Sequence, residues 1–512
     1  MTRTEKRPTS SSRTASASKP AAKKAAAKKP AAPRSRAGQT DAKKPSTRRQ
    51  PDVKPSPFAE AKKRRTERMM GIEPEEAPVD VKAHRTSEQP APSKPSYVPT
   101  VDVMPKFNAR SGNAKGLFER TVLQRAKAAG DAAEPLAPIS YTNELHIKNA
   151  AVIDFWKSHK LDLKPQRIAP SPLPRHYRTT TKRRVWRDKS GAISLRFADG
   201  TGTLKSNVVE SQIDVKEHHN IYNTVAAKII LPQYADLLHA LSHVIVRGSM
   251  KEFTVILNVS EMNATVVRKL KLLADHIKEE NPKAVSCYAY LDPTRSSYYL
   301  DQEPLEDAPV RLKKLYGRDE MLITHCGTQF YVPVTAFSQV NDTIIPSFVE
   351  SVRRSLSHSG KPINRLIDLY CGYGLFSFLC ADLADSVIGV EQNAESIESA
   401  NIMAKKRKVN SKMNFIAKSI TPHFIRNYLP RPIEGESIIL DPPRQGVDSE
   451  LIAAIAERQP ATVIHIFCNI EEVPGAIRLW KNHGYRLIKA QPLDLFAGTP
   501  HLEVVVHLER IK

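Results

Sequence analysis

Strand-like and helical segments alternate strictly from residue 361 onward. The strand-like segments read RLIDLY, SVIGVE, MNFIAKS, SIILD, TVIHIFC, RLIKAQPLD and LEVVVHLE. Helical segments separate the first six, whereas a short loop joins the last two. Strict alternation predicts a parallel, doubly wound α/β sheet, and a last strand that arrives without a helix is expected to pair antiparallel at or near the edge. We therefore expect a seven-stranded Rossmann-like domain.

Composition divides the 512 residues into three parts. Residues 1–138 are rich in Ala, Lys, Arg, Pro and Ser, and such a segment buries too little apolar surface to offset its chain entropy. We expect it to be a disordered basic arm. Residues 139–345 mix strand and helix patterns and predict a smaller α+β central domain. Residues 346–512 carry the Rossmann-like sheet.

The charge of the chain favours a polyanionic partner. The formal net charge is +24, so nucleic acid is the first partner to consider. Residues 1–50 alone hold 15 Lys and Arg against Glu5 and Asp41. Three interpretations of the arm stay open: an electrostatic contact to phosphates, an organellar transit peptide, and a solubilising tail.

A basic hairpin is expected at the start of the central domain. HYRTTTKRRVWRD and AISLRFADG read as two strands around the turn KSG. Basic and aromatic side chains on one sheet face suit RNA, because cations meet phosphates and rings stack on unpaired bases. The alternative is a solvated basic edge strand. The residues expected on the exposed faces are Tyr177, Arg178, Lys182, Arg183, Arg184, Trp186, Arg187 and Arg196.

The cysteines and the lack of a long apolar run indicate the compartment. The five cysteines form no C-x-x-C pair, which argues against a disulfide framework, a zinc site or a four-cysteine iron–sulfur cluster. No run approaches the ~20 apolar residues that span a bilayer. We expect a cytoplasmic protein without membrane contact, or an organellar one if the arm is a transit peptide. We also expect a monomer without an obligate protein partner.

The segment LIDLYCGYGLFS predicts a cofactor site. It places Asp368 near the end of the first strand and Gly372 and Gly374 in the next turn, where glycine lets backbone approach a ligand. Ser377 stands where a dinucleotide fingerprint has its third glycine. Glu391 ends the second strand and is suited to ribose hydroxyls. This pattern favours S-adenosylmethionine, an adenosine cofactor without phosphates, and NAD remains the alternative.

Reactive side chains are expected at the same edge of the sheet. LDPPRQG (residues 440–446) ends the fourth strand, and its two prolines force the chain out of the ladder, so Asp441 projects into the crevice. Cys468 ends the fifth strand, and Glu503 begins the last. Taken alone, Cys468 is most simply a buried strand thiol. Its convergence with Asp441 and Glu503 favours a nucleophile instead.

A thiol, a carboxylate and a methyl sulfonium together suit methylation of uracil. Carbon 5 of uracil is a poor nucleophile, but a thiolate that adds to carbon 6 creates an enolate that attacks a methyl group from carbon 5. A base then removes the carbon 5 proton so that the thiol is eliminated. One cysteine and one carboxylate suffice for this chemistry, without a metal.

The region from about residue 325 to 512 resembles the RNA (uracil-5-)-methyltransferase family. The matching motifs, in family order, are FSQVN, DLYCGYG, GVE, DPPRQG, FCN and FAGTPHLE. The resemblance implies a class I methyltransferase catalytic domain over residues 346–512 and an RNA-binding central domain. It implies that S-adenosylmethionine is contacted by Gln339, Tyr370, Glu391 and Asp441. It also implies Cys468 as nucleophile and Glu503 as general base.

The chain departs from the family pattern at several positions. Tyr373 stands where asparagine is usual, and Ile470 and Ala497 stand where proline is usual. The iron–sulfur cysteines of some members are absent. We expect conversion of uridine to 5-methyluridine in tRNA or rRNA. The alternatives are a catalytically weak RNA-binding or chaperone protein on a methyltransferase scaffold, and a methyltransferase for another base or atom.

Overall fold

The structure is a computed structural model that describes residues 116–128, 133–197, 211–295, 311–444 and 446–511. Most of the arm predicted for residues 1–138 lies outside these ranges. Within them, Leu117–Ala126 forms a helix, α1, so the prediction of disorder is corrected for this stretch. A second helix, α2 (Tyr141–Ser158), follows, and both helices contribute to one hydrophobic core.

The middle of the described chain forms a six-stranded sheet with three helices. Its elements are β1 (Thr181–Arg187), β2 (Ile193–Arg196), α3 (Lys216–Ile229), α4 (Ala235–Ala240), β3 (Leu241–Gly248), β4 (Phe253–Val259), α5 (Ala264–Glu280), β5 (Ala284–Leu291) and β6 (Leu312–Tyr316). The strand order is β2-β1-β3-β4-β5-β6. The β4–β5 pair is parallel and the other pairs are antiparallel. The expected α+β sheet is therefore present.

The predicted hairpin is confirmed as β1 and β2, but two of its expected exposed residues are buried. Asp188 shapes the turn, because its Oδ1 accepts hydrogen bonds from the backbone nitrogens of Ser190 and Ala192, both at 2.9 Å. Arg183 lies inside the protein and forms an ion pair with Asp214. Tyr177 is also buried, and its hydroxyl donates to a backbone carbonyl. The prediction that Arg183 and Tyr177 are exposed was wrong, because buried partners distant in sequence satisfy both side chains.

The remainder of the described chain begins with a two-stranded hairpin and continues with the predicted alternation. Its elements are β7 (Glu320–His325), β8 (Thr328–Pro333), α6 (Ile345–Leu356), β9 (Ile363–Leu369), α7 (Leu375–Leu379), β10 (Ala384–Glu391), α8 (Ala394–Lys406), β11 (Met413–Ala417), α9 (Pro422–Asn427), β12 (Glu436–Leu440), α10 (Ser449–Glu457), β13 (Thr462–Phe467), α11 (Val473–Asn482), β14 (Tyr485–Leu493) and β15 (Glu503–Arg510). Within the described ranges, no helix is both long and apolar enough to cross a membrane.

The seven-stranded sheet has the order β11-β10-β9-β12-β13-β15-β14. The first five strands are parallel, and β15 pairs antiparallel with both β13 and β14. The antiparallel final strand is thus confirmed, one position from the edge. Apolar side chains of α6, α7 and α8 cover one face, and those of α1, α2, α9, α10 and α11 cover the other. The result is a three-layer α/β domain, as the alternation predicts.

A buried ionic cluster ties α2 to the loop between β14 and β15. Lys148 Nζ lies 2.6 Å from Asp494 Oδ1 and 2.8 Å from Glu144 Oε1, and all three side chains are fully buried. Glu144 Oε1 also accepts a hydrogen bond from Gly498 N at 2.6 Å. Such charges are stable in the interior only when each has partners. The cluster therefore fixes the loop that leads into Glu503.

We expect Lys148→Ala to lower the free energy of unfolding by about 3–5 kcal/mol, because it leaves the buried carboxylate of Asp494 without its cation and leaves Glu144 with only Arg175 as a cationic partner. Urea denaturation followed by circular dichroism measures the change. Lys157→Ala is the matched control, since Lys157 is exposed on the same helix, and its effect should stay within about 0.5 kcal/mol. Equal losses for the two variants would contradict the role given to the cluster.

Candidate active site

The turn that follows β9 brings bare backbone to the edge of the sheet. Tyr370, Gly372 and Gly374 adopt positive φ angles of 64°, 54° and 90°. A Cβ on Gly372 would meet no atom within 4 Å, so open space lies beside this residue. A Cβ on Gly374 would press against the Phe378 ring at 3.0 Å. Glycine is therefore required for the bend, and a ligand can approach the backbone at Gly372.

Glu391 ends β10 and is held at this turn. Its Oε2 accepts a hydrogen bond from Gly372 N at 3.3 Å, and its Oε1 accepts one from Asn393 N at 2.8 Å. The side chain stays half-buried. These bonds orient the carboxylate beside the open space, in the position suited to ribose hydroxyls.

Asp368 lies fully buried at the next-to-last position of strand β9. Ser377 Oγ donates a hydrogen bond to Asp368 Oδ2 at 2.6 Å, whereas Oδ1 has no partner among the described residues. Burial raises the pKa of Asp368 to about 7. Ser377 thus has a role that sequence reasoning missed: it replaces a fingerprint glycine and orients this carboxyl group.

Asp441 lies near Asp368, and Tyr373 lies near Asp441. Asp441 follows β12, the neighbour of β9, and its backbone N–H donates to Leu369 O at 3.3 Å. Burial and the charge of Asp368 raise the pKa of Asp441 to about 7. The Tyr373 hydroxyl is buried without a hydrogen-bond partner among the described residues. Burial and then the charges of Asp342 and Asp441 raise its pKa.

These residues fit S-adenosylmethionine. A group of buried carboxyls with an unpartnered oxygen suits a cationic amine, and the methionine end of this cofactor carries one. Glu391 and the open backbone at Gly372 suit its ribose. Tyr370 contributes less directly to the cofactor site, because its half-buried ring packs against the core that contains α9, α10 and α11.

Gln339 lies in the loop between β8 and α6, and a buried arginine of the central sheet holds the start of that loop. Arg247 donates to the carbonyl of Val334 at 2.7 Å and to Ser338 Oγ at 3.1 Å. Asn341 Nδ2 donates to Leu495 O at 3.1 Å, which joins the same loop to the chain after β14. Arg247 and Asn341 were not singled out from the sequence, because only tertiary contacts reveal their roles.

The pairing of β13 with β15 brings the predicted nucleophile and base together. Phe467 lies opposite Val504 in this antiparallel pair, so the next residues on the two strands, Cys468 and Glu503, face each other at the sheet edge. Cys468 is half-buried, and Glu503 is 3% exposed. The structure thereby unites both predicted catalytic residues with Asp441.

The electrostatics of this edge favour neutral acids in the ligand-free protein. Burial, followed by the charge of Glu503, raises the pKa of the Cys468 thiol to about 12. Burial and the charge of Asp441 raise the pKa of Glu503 well above its usual range. Arg444 opposes both shifts, and its guanidinium lies 5.8 Å from the centre of the Phe496 ring. The thiol of the ligand-free protein is therefore protonated at neutral pH.

Asn469 and Ile470 shape the chain just after the nucleophile. Asn469 Oδ1 accepts a hydrogen bond from Glu471 N at 3.2 Å and thereby caps a short 3₁₀ turn, Ile470–Glu472. Ile470 is 4% exposed and packs in the core that α1 and α2 share. The residue in the usual proline position is thus an apolar anchor of the loop.

A known protein family matches the part of the chain that contains the site just described. The tRNA (Uracil-5-)-methyltransferase family matches residues 307–511. This part of the chain belongs to that family. The family expected from the motifs is thereby confirmed, and with it the enzyme class, an S-adenosylmethionine-dependent RNA methyltransferase.

Relatives of the chain carry consistent names. An uncharacterized RNA methyltransferase of Caldanaerobacter subterraneus subsp. tengcongensis is 27% identical over 384 residues, which cover 73% of this chain and 81% of the relative. An uncharacterized RNA methyltransferase of Thermotoga maritima is 26% identical over 379 residues, with coverages of 72% and 80%. The crystal structure of Pyrococcus abyssi tRNA (uracil-54, C5)-methyltransferase with S-adenosyl-L-homocysteine superposes with a TM-score of 0.54 at 18% identity, over 73% of this chain and 85% of that one. The last similarity shows a shared fold.

We expect binding of S-adenosylhomocysteine to strengthen by about tenfold between about pH 6 and about pH 8. Asp441 has a pKa raised to about 7, so it is mostly neutral below that pH and gains the charge that attracts the ligand's ammonium above it. Asp368 titrates in the same range and adds to the effect. Glu503 and Tyr373 interact electrostatically with Asp441, and Arg444 interacts with Glu503. Isothermal titration calorimetry across this pH range measures the slope.

Asp441→Asn should weaken binding and flatten the slope, because one of the carboxyls that titrate near pH 7 is lost. Asp385→Asn is the matched control, since Asp385 is exposed at the start of β10. A pH slope in Asp441→Asn as steep as in the wild type would exclude Asp441 as the titrating group.

Proposed function

We propose that this protein methylates carbon 5 of a uridine in structured RNA, either tRNA or rRNA, through a transient covalent bond from Cys468. One observation carries the proposal: Cys468 and Glu503 face each other across β13 and β15, beside Asp441. A nucleophile and a base beside a methyl donor site meet the chemical needs of methylation at carbon 5.

Each side chain has one task in the proposed reaction. The Cys468 thiolate forms a bond to carbon 6 of uracil, and the ring electrons move so that carbon 5 becomes nucleophilic. S-adenosylmethionine, when bound, supplies the methyl group and a positive charge. Glu503 then accepts the proton from carbon 5, and the bond between Cys468 and carbon 6 breaks as the carbon 5–carbon 6 double bond returns.

The electrostatics of the site agree with these tasks. The raised pKa of Glu503 makes its carboxylate a stronger base once it is ionised. The charge of Arg444 acts against the raised pKa of Cys468 and in that sense favours the thiolate. A neutral thiol in the ligand-free protein is protected from oxidation, since the thiolate is the reactive form.

The expected substrate is a uridine that has left its stack. A thiol set into the edge of the sheet cannot reach carbon 6 of a base inside a helix, so the nucleotide must be flipped out. The hairpin of β1 and β2 supports RNA contact, because Arg187 is exposed and Arg196 and Trp186 are half-buried at the edge of the central sheet. Arg183 and Tyr177 take no part in that surface.

We expect Cys468→Ala to abolish covalent adduct formation with RNA that contains 5-fluorouridine. With S-adenosylmethionine present, carbon 5 of the wild-type adduct carries a methyl group and a fluorine and has no proton for a base to remove, so the adduct persists and is visible on a denaturing gel. Methylation of ordinary RNA should fall by at least about a thousandfold. Cys326→Ala is the control, since Cys326 is an exposed thiol on the β7–β8 hairpin.

Two outcomes would contradict the proposal. Methylation that survives loss of Cys468 would indicate a different base or atom as target. A wild type that binds RNA but forms neither adduct nor methylated product would favour the catalytically weak RNA-binding protein.

We expect Glu503→Gln to accumulate the adduct on ordinary uridine RNA, because the carbon 5 proton is no longer removed after methyl transfer. Denaturing gels and mass spectrometry of the trapped peptide, with methylated uridine attached to Cys468, measure this outcome. Release of product at the wild-type rate would remove Glu503 as the base.

A further inference from the structure

The first turn of helix α1 has no capping side chain of its own. Glu471, in the loop that follows Cys468, caps it instead. The N-cap residue of α1 is Gly116, which has no side chain to accept the free backbone N–H groups of the first turn. Glu471 Oε1 accepts instead, from Phe118 N at 2.7 Å, although the two residues are 353 positions apart. A carboxylate at a helix N-terminus also interacts favourably with the helix dipole.

The contact requires glycine at position 116. A Cβ built there would overlap the Glu471 carboxylate, with three side-chain atoms of Glu471 inside van der Waals distance. The φ angle of Gly116 is −61°, so the backbone conformation itself does not demand glycine. A side chain at position 116 would therefore displace the Glu471 carboxylate from α1.

Apolar contacts bind α1 to the same loop. Phe118, Val122 and Leu123 are buried. Phe118 and Val122 share a hydrophobic cluster with Ile470 and with Phe467, the residue before Cys468. The chain on both sides of Cys468 thus packs in the core to which α1 belongs.

We propose that α1 positions the nucleophile. Glu471 is the positioning residue, because it connects α1 to the loop that begins at Cys468. The inference rests on the proposed function of Cys468. Ile470 replaces the proline that is usual in the family, and a chain without that proline loses a local restraint on φ. The hydrogen bond to α1 and the burial of Ile470 supply the restraint from outside the loop.

The test uses full-length protein and three substitutions. Glu471→Ala removes the acceptor, Gly116→Ala displaces it sterically, and Glu471→Gln keeps an amide oxygen that can still accept. Gly475→Ala is the matched control, because a Cβ on Gly475 in α11 would meet no atom within 4 Å. The rate of adduct formation with 5-fluorouridine RNA and the affinity for S-adenosylhomocysteine are measured for each protein.

We expect Glu471→Ala and Gly116→Ala to slow adduct formation by about tenfold, since small displacements of a reacting group cost rate. Affinity for S-adenosylhomocysteine should not change, Glu471→Gln should regain most of the rate, and Gly475→Ala should match the wild type. If the contact were merely structural, the alanine variants would have a lower melting temperature but no loss of adduct rate that is separate from a loss of ligand affinity.

Wild-type adduct rates in both alanine variants would overturn the positioning role and leave the proposed function intact. Equal losses of adduct rate and ligand affinity would also overturn it, since they indicate general unfolding. Absence of the adduct in the wild type would instead refute the proposed function and, with it, this inference.

Discussion

The antiparallel pairing of β15 with β13 is the constraint on which the site depends. Side chains alternate between the faces of a strand, so a slip of one residue in this register would move Glu503 away from Cys468. The register is set by apolar residues on both faces and by the loop that the buried lysine cluster holds. Insertion of β15 between β13 and β14 also places Glu503 at the end of an inner strand, with a neighbouring strand on each side, which is why Glu503 is so well buried.

Burial then decides the chemical state of the site. Asp368, Asp441, Cys468 and Glu503 share a small region of low polarity, and each has a pKa above its ordinary value. Keeping these groups neutral avoids the cost of several unpaired buried charges. A cationic ligand changes that balance, because positive charge in the region favours the ionised forms of all four. Ligand binding and activation of the thiol are therefore expected to be coupled.

Local sequence patterns were sufficient to predict the main sheet and the strand ends where the candidate site residues lie. The seven strands of the main sheet were readable because buried strands are continuous apolar runs, and site residues were readable because they stand where such runs end. Contacts between residues that are distant in the sequence could not be predicted from these patterns. Nothing near Arg183 in the sequence indicates Asp214, and nothing near Glu471 indicates Phe118. The basic charge of the hairpin led to the wrong exposure for Arg183, because composition does not reveal which cation is paired inside. Residues 346–512 as a catalytic unit remain a prediction, and α1 and α2 now share its core.

Contacts between distant parts of the chain have a consequence for how the enzyme is made. Lys148 meets Asp494 across 346 positions, and Glu144 meets Gly498 across 354. During synthesis the first partner of each pair waits until almost the whole domain has left the ribosome. Such non-local closure is slow, because the entropy of a long loop must be lost before any contact forms. We therefore expect helices α1 and α2 to dock late in folding, after the strands of the main sheet have formed.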